Sequence, residues 1–501
     1  MAPILASGSR PNRREAWTFL AAGLTLALAA QAAAATLDGV VYETTLGRLA
    51  VGAPLTFRVD ALGALFALLA SFLWLVASAY SVGYMRGLDE HDQTRYFAAF
   101  AASIGATMGV ALAANLLTLF VFYELLTVAT YPLVAHAETP EARRAGRRYL
   151  AYTLSGGVAI LGGIVLVYAV TGSGEFVAGG LAGLASEPIV ATVAYGLLVV
   201  GFGVKAAVVP LHAWLPDAMV APTPVSGLLH AVAVVKSGVF GLARVVLFVF
   251  GAGTVRSLGL GRPLAVAAAA TMLLAGVVAL RQDKLKRGLA YSTISQLSYI
   301  VLGIALLTPL ALFGALLHLV AHAFMKITLF FCAGAIYVET DTEYVSQMGG
   351  IWRRLPALMT AFAVGSAGLV GLPGIAGFVS KWYLILGALD ANALVFAATY
   401  LVAGLLKLLF FWPVLLTAYA GRNATDGFRP VDVHHGVATG EHDGGRTATW
   451  ERRTPLTESS WWLLGPVLVT AGGAVVLGVV PDATPFWALA RTVGAEVFPG
   501  G

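Results

Sequence analysis

Cysteine is almost missing from this chain: its 501 residues contain one, Cys332. A single thiol excludes an internal disulfide. It also excludes a cysteine-ligated iron–sulfur cluster or structural zinc site held by this chain alone. Any electron-transfer role therefore needs a partner that holds the metal. Charge is the second shortage. Only 11% of residues are Asp, Glu, Lys or Arg, against about 25% in a soluble domain. Most of the surface must face something other than water. The net charge of +5 is then no nucleic-acid signal, and what matters is where the basic residues sit relative to a membrane.

What is present in excess is apolar sequence: 58% hydrophobic residues and a mean hydropathy of +0.82. A transmembrane helix needs about 20 apolar residues. The chain offers that near 16–35, 58–82, 95–113, 114–136, 147–171, 189–213, 222–250, 263–280, 285–307, 310–338, 355–389, 393–420 and 461–490, thirteen helices in all. Asn115 alone marks the boundary between the third and fourth. Segment 36–57 alternates and contains glycine, which predicts a small external hairpin. The fold class expected is an all-α polytopic membrane protein.

Loop 172–188 has no Lys or Arg. The loops on the other side carry Arg10, Arg13 and Arg14, then Arg143, Arg144, Arg147 and Arg148, then Arg281, Lys284, Lys286 and Arg287, then Arg353 and Arg354, then Arg422 to Arg453. The positive-inside rule places these in the cytoplasm, with the N-terminus inside and the C-terminus outside. Arg256 and Arg262 in loop 252–262 run mildly against it. RPNRR, an apolar run and AQAAAA also fit a signal peptide with a small-residue cleavage site, and the remaining topology is the same under that reading. Loop 421–460 is rich in Gly, His and Asp and reads as a solvated or disordered cytoplasmic connection. Its His434, His435 and His442 lack metal-ligand spacing, and the sequon Asn423-Ala-Thr425 has no meaning on the cytoplasmic side.

Within the apolar segments stand charges that cost about 2.5–3.5 kcal/mol each at the centre of a lone helix. Glu124 lies in TLFVFYELLTVATYP, Lys205 in LLVVGFGVKAAVVPLHAW, and His230 and Lys236 in GLLHAVAVVKSGVFG. His318, His322 and Lys326 lie in LLHLVAHAFMKITLFF, Lys381 in LPGIAGFVSKWYLIL and Lys407 in LVAGLLKLLFFW. Any one alone reads as a satisfied polar group joining two helices. Six or more, in separate helices, read as a path lined by water and by one another. His318, His322 and Lys326 at i, i+4 and i+8 form one stripe. Imidazole and ammonium groups alternating with water conduct protons, because histidine titrates near neutrality and a desolvated lysine moves toward it. Glu124, one carboxylate among many lysines, is the expected partner of Lys205. Lys407 is the weakest member, and Arg244 reads as structural. Two histidines on successive turns of one helix cannot be both axial ligands of one haem, and no HExxH motif occurs, so no metal or cofactor is expected.

Two helices are interrupted near a charge: at Pro210, a turn past Lys205, and at Pro373-Gly374, two turns before Lys381. Broken helices in a membrane line polar cavities and mark inverted-repeat transporters. Helices three to seven and eight to twelve each hold one break and one such lysine, and two runs of five have opposite orientations. The expected division is 1–57, 58–94, a first five-helix repeat 95–250, a second 251–420, the loop 421–460 and a C-terminal helix in 461–501.

The stretches HAWLPDAMVAPTPVSGLLHAVAVVKSGVFGLAR, DKLKRGLAYSTISQLSYIVLG, LLHLVAHAFMKITLFFCAGAI and LPGIAGFVSKWYLI resemble the proton-translocating antiporter-like subunits. These are the large membrane subunits of respiratory complex I, their counterparts in membrane-bound hydrogenases, and the large subunits of Mrp-type sodium/proton antiporters. The resemblance runs from about Arg58 to about Ala420. It implies that Glu124 is the family's fifth-helix glutamate and Lys205 the lysine of its broken seventh helix. It makes Lys236 the bridging lysine of the eighth, His318, His322 and Lys326 the set of the eleventh, and Lys381 the terminal charge of the broken twelfth. It further implies two half-channels joined by a central hydrophilic axis, and other membrane subunits as partners. The family's first helix is expected to be missing here, as is the long lateral helix of the distal complex I subunit. The run FVFYELLTVATYPLVAHAETPEARRAGRRYLAY is more similar to the D-type large subunits of Mrp antiporters. The function expected is proton transport within a multisubunit cation/proton antiporter of a bacterial or archaeal cytoplasmic membrane, exchanging sodium or potassium. The alternatives are a redox-driven proton pump and an energy-coupling subunit for uptake of another solute.

Overall fold

Apolar runs bounded by Pro, Asn, Asp and Gly become helices that begin and end on those residues. The computed structural model describes residues 1–8, 10–50, 53–421 and 450–499. The principal helices are α1 (Pro11–Leu37), α2 (Ala61–Gly87), α3 (Gln93–Ala111), α4 (Leu116–Val134), α5 (Pro140–Thr171) and α6 (Pro188–Lys205). Next come α7 (Thr223–Val249), then α8 (Gly261–Ala279), α9 (Leu285–Ala305) and α10 (Pro309–Thr340). The two-part α11 (Pro356–Val370 and Ala376–Asp390), α12 (Leu394–Ala420), α13 (Trp461–Val479) and α14 (Pro485–Val497) complete the series. Eleven of the described helices are long and apolar enough to cross a membrane. Adding the more polar α3 and the two-part α11 gives one helix in each of the thirteen predicted segments.

The caps follow from the sequence. Asp60 accepts from the amide of Gly63 at the start of α2, and Asn115 from that of Thr118 at the start of α4, both at 2.8 Å. The latter fixes the α3–α4 boundary where Asn115 marked it. Thr139 and Thr308 cap α5 and α10 in the same way.

The hairpin expected at 36–57 is present as β1 (Tyr42–Ala50) paired antiparallel with β2 (Ala53–Val59). It extends into a backbone ladder. Arg58 N donates to Leu112 O at 2.8 Å and Ala114 N to Thr56 O at 3.0 Å. Phe176 N then donates to Ala114 O at 3.0 Å, and Val177 N to Phe248 O at 3.0 Å.

Two five-helix runs share one packing order. In α3–α7 and again in α8–α12, each helix packs on the next, and the interrupted fourth helix lies against the third. Five crossings are odd, so the two runs enter the membrane from opposite sides.

Three expectations need correction. The sixth helix stops at Lys205, five residues before Pro210, because Ala207 takes a left-handed conformation (φ +55°) that L-residues do not sustain in a helix. The last predicted helix, 461–490, is two: α13 ends at Val479, and prolines at 481 and 485 force a turn before α14. The polar segment 421–460 is not wholly solvated. Glu458 is buried and accepts from the amides of Ala357 (2.8 Å) and Leu358 (2.7 Å), while Trp450 Nε1 donates to Gly349 O at 3.0 Å. Glu458 thus caps α11 from another part of the chain, and burial raises its carboxyl above the usual range. The histidines 434, 435 and 442 and the sequon lie outside the described residues.

Candidate functional site

The break after Lys205 leaves the end of α6 against α7. Gly238 makes this approach feasible: a Cβ there would lie 2.3 Å from Ala206 N and 2.7 Å from the Lys205 carbonyl carbon. Two residues earlier on α7 stands Lys236, so the same glycine brings the two lysine-bearing segments together. The Lys205 ammonium is buried. It donates to the carbonyl of Tyr123, and Nζ lies 3.4 Å from the centroid of that tyrosine's ring. Glu124, the next residue, is within Coulombic reach of Lys205, whose ammonium donates instead to the Tyr123 carbonyl. One Glu124 oxygen, Oε1, has no hydrogen-bond partner among the described residues. It sits above Gly157, where a Cβ would fall 2.4 Å away. The ammonium is thus seated on Tyr123 and makes no direct ion pair with Glu124.

α7 is not a regular α-helix. Leu228–Val232 and Val245–Val249 are π-helical, a widening that occurs at functional sites. The first contains His230, fully buried against the ring of Phe330 (centroids 4.7 Å), with neither ring nitrogen bonded to a described residue. Beyond it Lys236 Nζ donates to Leu319 O at 3.0 Å and lies 2.9 Å from His322 Nδ1.

From His322 the line continues along α10. The rings of His322 and His318 lie 6.2 Å apart. His318 Nδ1 is 2.9 Å from Ser380 Oγ, and its Nε2 is 2.7 Å from Gln296 Oε1. Gln296 Nε2 in turn donates to Leu369 O at 3.1 Å. Lys381, next to Ser380, donates to that same Leu369 carbonyl and to Val370 O at 3.0 Å. These are the last carbonyls of the first half of α11, left open by the Leu372-Pro373-Gly374 interruption. An ammonium there satisfies them and complements the negative helix end. Gly371 (φ +104°) and Gly374 (φ +85°) supply the left-handed turns.

Lys326, on the same helix, points elsewhere and donates to Ser292 Oγ (3.0 Å) and Leu289 O (3.3 Å) on α9. Lys407 is buried with no bonded partner among the described residues. Arg244 is structural: its guanidinium makes a two-pronged pair with Asp60 (2.6 and 2.7 Å), with the rings of Phe176, Phe240 and Phe248 around it at 4.9–5.1 Å. Sequence reasoning missed Tyr123, Gln296 and Ser380. The only available signal was position, since Tyr123 and Ser380 each adjoin a singled-out charge.

A cavity of about 710 Å³ opens on the side of the basic loops, lined by Glu90, Arg148, Asp217, Thr223, Lys286 and Tyr337 among others. Arg148 and Asp217 pair at its edge. Burial raises the Glu90 carboxyl above the usual range. Its wall includes Thr223 and Ala333, from the starting turn of α7 and the last third of α10, the two helices that carry His230, Lys236 and the histidine pair.

Comparison with known proteins places this arrangement. Residues 113–407 match the family described as NADH:quinone oxidoreductase/Mrp antiporter, transmembrane, and residues 49–97 match the N-terminus of chain 5 of NADH-ubiquinone oxidoreductase (complex I). The chain is 36% identical over 427 residues to the N subunit of the NADH-quinone oxidoreductase of Desulforudis audaxviator, covering 84% of this chain and 81% of that one. It is 35% identical over 345 residues to the A/B subunit of a probable K(+)/H(+) antiporter of Rhizobium meliloti, covering 68% of this chain but only 34% of that longer protein. In structure it is similar to a chain of the Mrp complex from Dietzia sp., with a TM-score of 0.84, 26% identity, and 99% and 96% of the two chains covered.

Proposed function

This chain belongs to the NADH:quinone oxidoreductase/Mrp antiporter membrane family, and from that premise we propose that it is the proton-conducting subunit of a multisubunit monovalent cation/proton antiporter. It works beside other membrane subunits, with the cation being sodium or potassium. The observation that carries the reading is the 2.9 Å contact of Lys236 with His322. It joins a titratable group of the first five-helix run to one of the second. Protons enter from the cavity on the basic-loop side, taken as the cytoplasm because of its arginines and lysines. They pass by hydrated groups around His230 to Lys236, and then along His322 and His318 to Lys381.

Glu124 and Lys205 form the switch. With Glu124 near, the charged lysine is favoured. Here the ammonium is held instead by the carbonyl and ring face of Tyr123, and exchange between that seat and Glu124 is the proposed switching step. The repeats 95–250 and 251–420 each supply one half-channel. Partner movement that alters the Glu124–Lys205 separation then couples cation flow to proton flow. Moving one net charge against 100 mV takes about 2.3 kcal/mol; in one-for-one exchange the monovalent cation moving the other way cancels that electrical work, so the cation gradient then works only against the proton concentration gradient.

The 36% identity to an NADH-quinone oxidoreductase subunit favours a second reading, a pump module driven by electron transfer in partners. Proton flux in inverted vesicles holding the whole complex separates the two. Flux evoked by added Na+ or K+, and lost in both Glu124→Ala and Lys205→Ala, supports the antiporter. Flux only when an electron donor is supplied supports the pump. Flux indifferent to both substitutions overturns the assignment of the path.

A further inference from the structure

Beside the cavity, whose wall includes Glu90, Glu90 and His91 from the α2–α3 turn meet His136 from the α4–α5 turn. One ligand atom from each of the three lies within 4.8 Å of the others. His136 Nε2 is 3.7 Å from Glu90 Oε2, and His91 Nδ1 is 3.9 Å from the same oxygen. A tetrahedral ion with bonds of about 2.1 Å holds its ligand atoms about 3.4 Å apart. Small side-chain rotations therefore close the site.

The second observation is His136 itself. Its side chain is 1% exposed, and neither ring nitrogen has a hydrogen-bond partner among the described residues. A buried imidazole without a partner is costly; a metal ion would satisfy it. Access is open from the other side, where the side chains of His91 and Glu90 are 48% and 26% exposed. The nearby cation Arg95 is occupied by Asp92 (3.4 Å) and Glu138 (2.6 Å).

We propose that Glu90, His91 and His136 form a binding site for a divalent transition-metal ion of the Zn2+ class, with one coordination position left for water. Two imidazoles and one carboxylate select such an ion over Mg2+ or Ca2+, which prefer all-oxygen shells. Glu90 also lines the cavity, so a bound ion takes a carboxylate from the cavity wall.

The test is equilibrium binding of Zn2+, and of Co2+ with its visible absorption, to the whole purified complex carrying no histidine tag. Binding is read without transport, so its failure and that of the proton-path reading are separate. The expected result is a site weakened about tenfold or more by His136→Ala and by His91→Ala, with Co2+ bands lost in both. It should persist when histidines 434, 435 and 442 are changed to alanine. His91 is half-exposed, so its variant tests the site even where His136→Ala fails to fold. Binding unchanged in His91→Ala and Glu90→Gln, or lost only with the three loop histidines, overturns the proposal.

Discussion

Lys236 Nζ and His322 Nδ1 stand 2.9 Å apart, the lysine on the last helix of one five-helix run and the histidine on the third helix of the next. With the lysine charged, Nδ1 accepts and Nε2 carries the ring proton; with the lysine neutral, the roles can reverse. The contact is short enough for a proton to be handed from one group to the other.

If the two act as one relay, their substitutions are not additive. Lys236→Ala and His322→Ala should each lower proton flux in vesicles by about tenfold or more, and the double variant should be no slower than the slower single. Independent, multiplying losses would show that the contact carries no transfer.

Gly157 is the floor under Glu124. Gly157→Ala would place a methyl group 2.4 Å from Oε1 and drive the carboxylate from its position. The expected outcome is loss of flux with an assembled complex and little loss of stability, because only the flexible end of Glu124 has to move and alanine is favoured over glycine in a helix by about 0.5–1 kcal/mol, checked by flux and by thermal melting in detergent. Wild-type flux would mean that the carboxylate position is not critical.

The Arg244–Asp60 pair predicts a different phenotype. Asp60→Ala strands a fully buried guanidinium and removes the α2 cap, a loss of about 3–5 kcal/mol. Little folded protein should be recovered, whereas variants of the axis should still assemble. Size-exclusion profiles of the solubilised complexes distinguish the two.

Lys407 predicts the reverse sign. It is buried without a bonded partner among the described residues, so Lys407→Met should raise the melting temperature, on the order of 1 kcal/mol or more in stability. A fall would show that the ammonium is paired within the assembled complex.

The helices were legible because a membrane rewards length and hydropathy, and those are properties of a sequence window. The buried charges were legible one by one for the same reason, since each is costly in an apolar helix; the structure brings Lys236 to His322 and leaves Lys407 without a bonded partner among the described residues. The partners of these charges were not legible. Gln296 and Ser380 matter because three helices place them around His318, and no spacing within one segment encodes that. Tyr123 was passed over because its carbonyl, which every residue has, does half of the work. Pro210 pointed to the right helix but to the wrong residue, since Ala207 adopts a conformation that alanine's own preferences oppose. Glu458 was hidden because it caps a helix about a hundred positions earlier in the chain.

The ladder that starts at the hairpin ties β2 to the α3–α4 turn, that turn to the α5–α6 connection, and the connection to the end of α7. On that face the helix ends of the first run are riveted, backbone to backbone. On the opposite face a second, shorter ladder lies at the wall of the 710 Å³ cavity and clasps the second run instead: Leu285 N donates to Glu343 O at 3.0 Å and Val345 N to Asp283 O at 2.9 Å. Rocking of the first run would therefore pivot at the hairpin and, at the cavity, move against a second run that is itself clasped, as one jaw of a clothes-peg moves against the other.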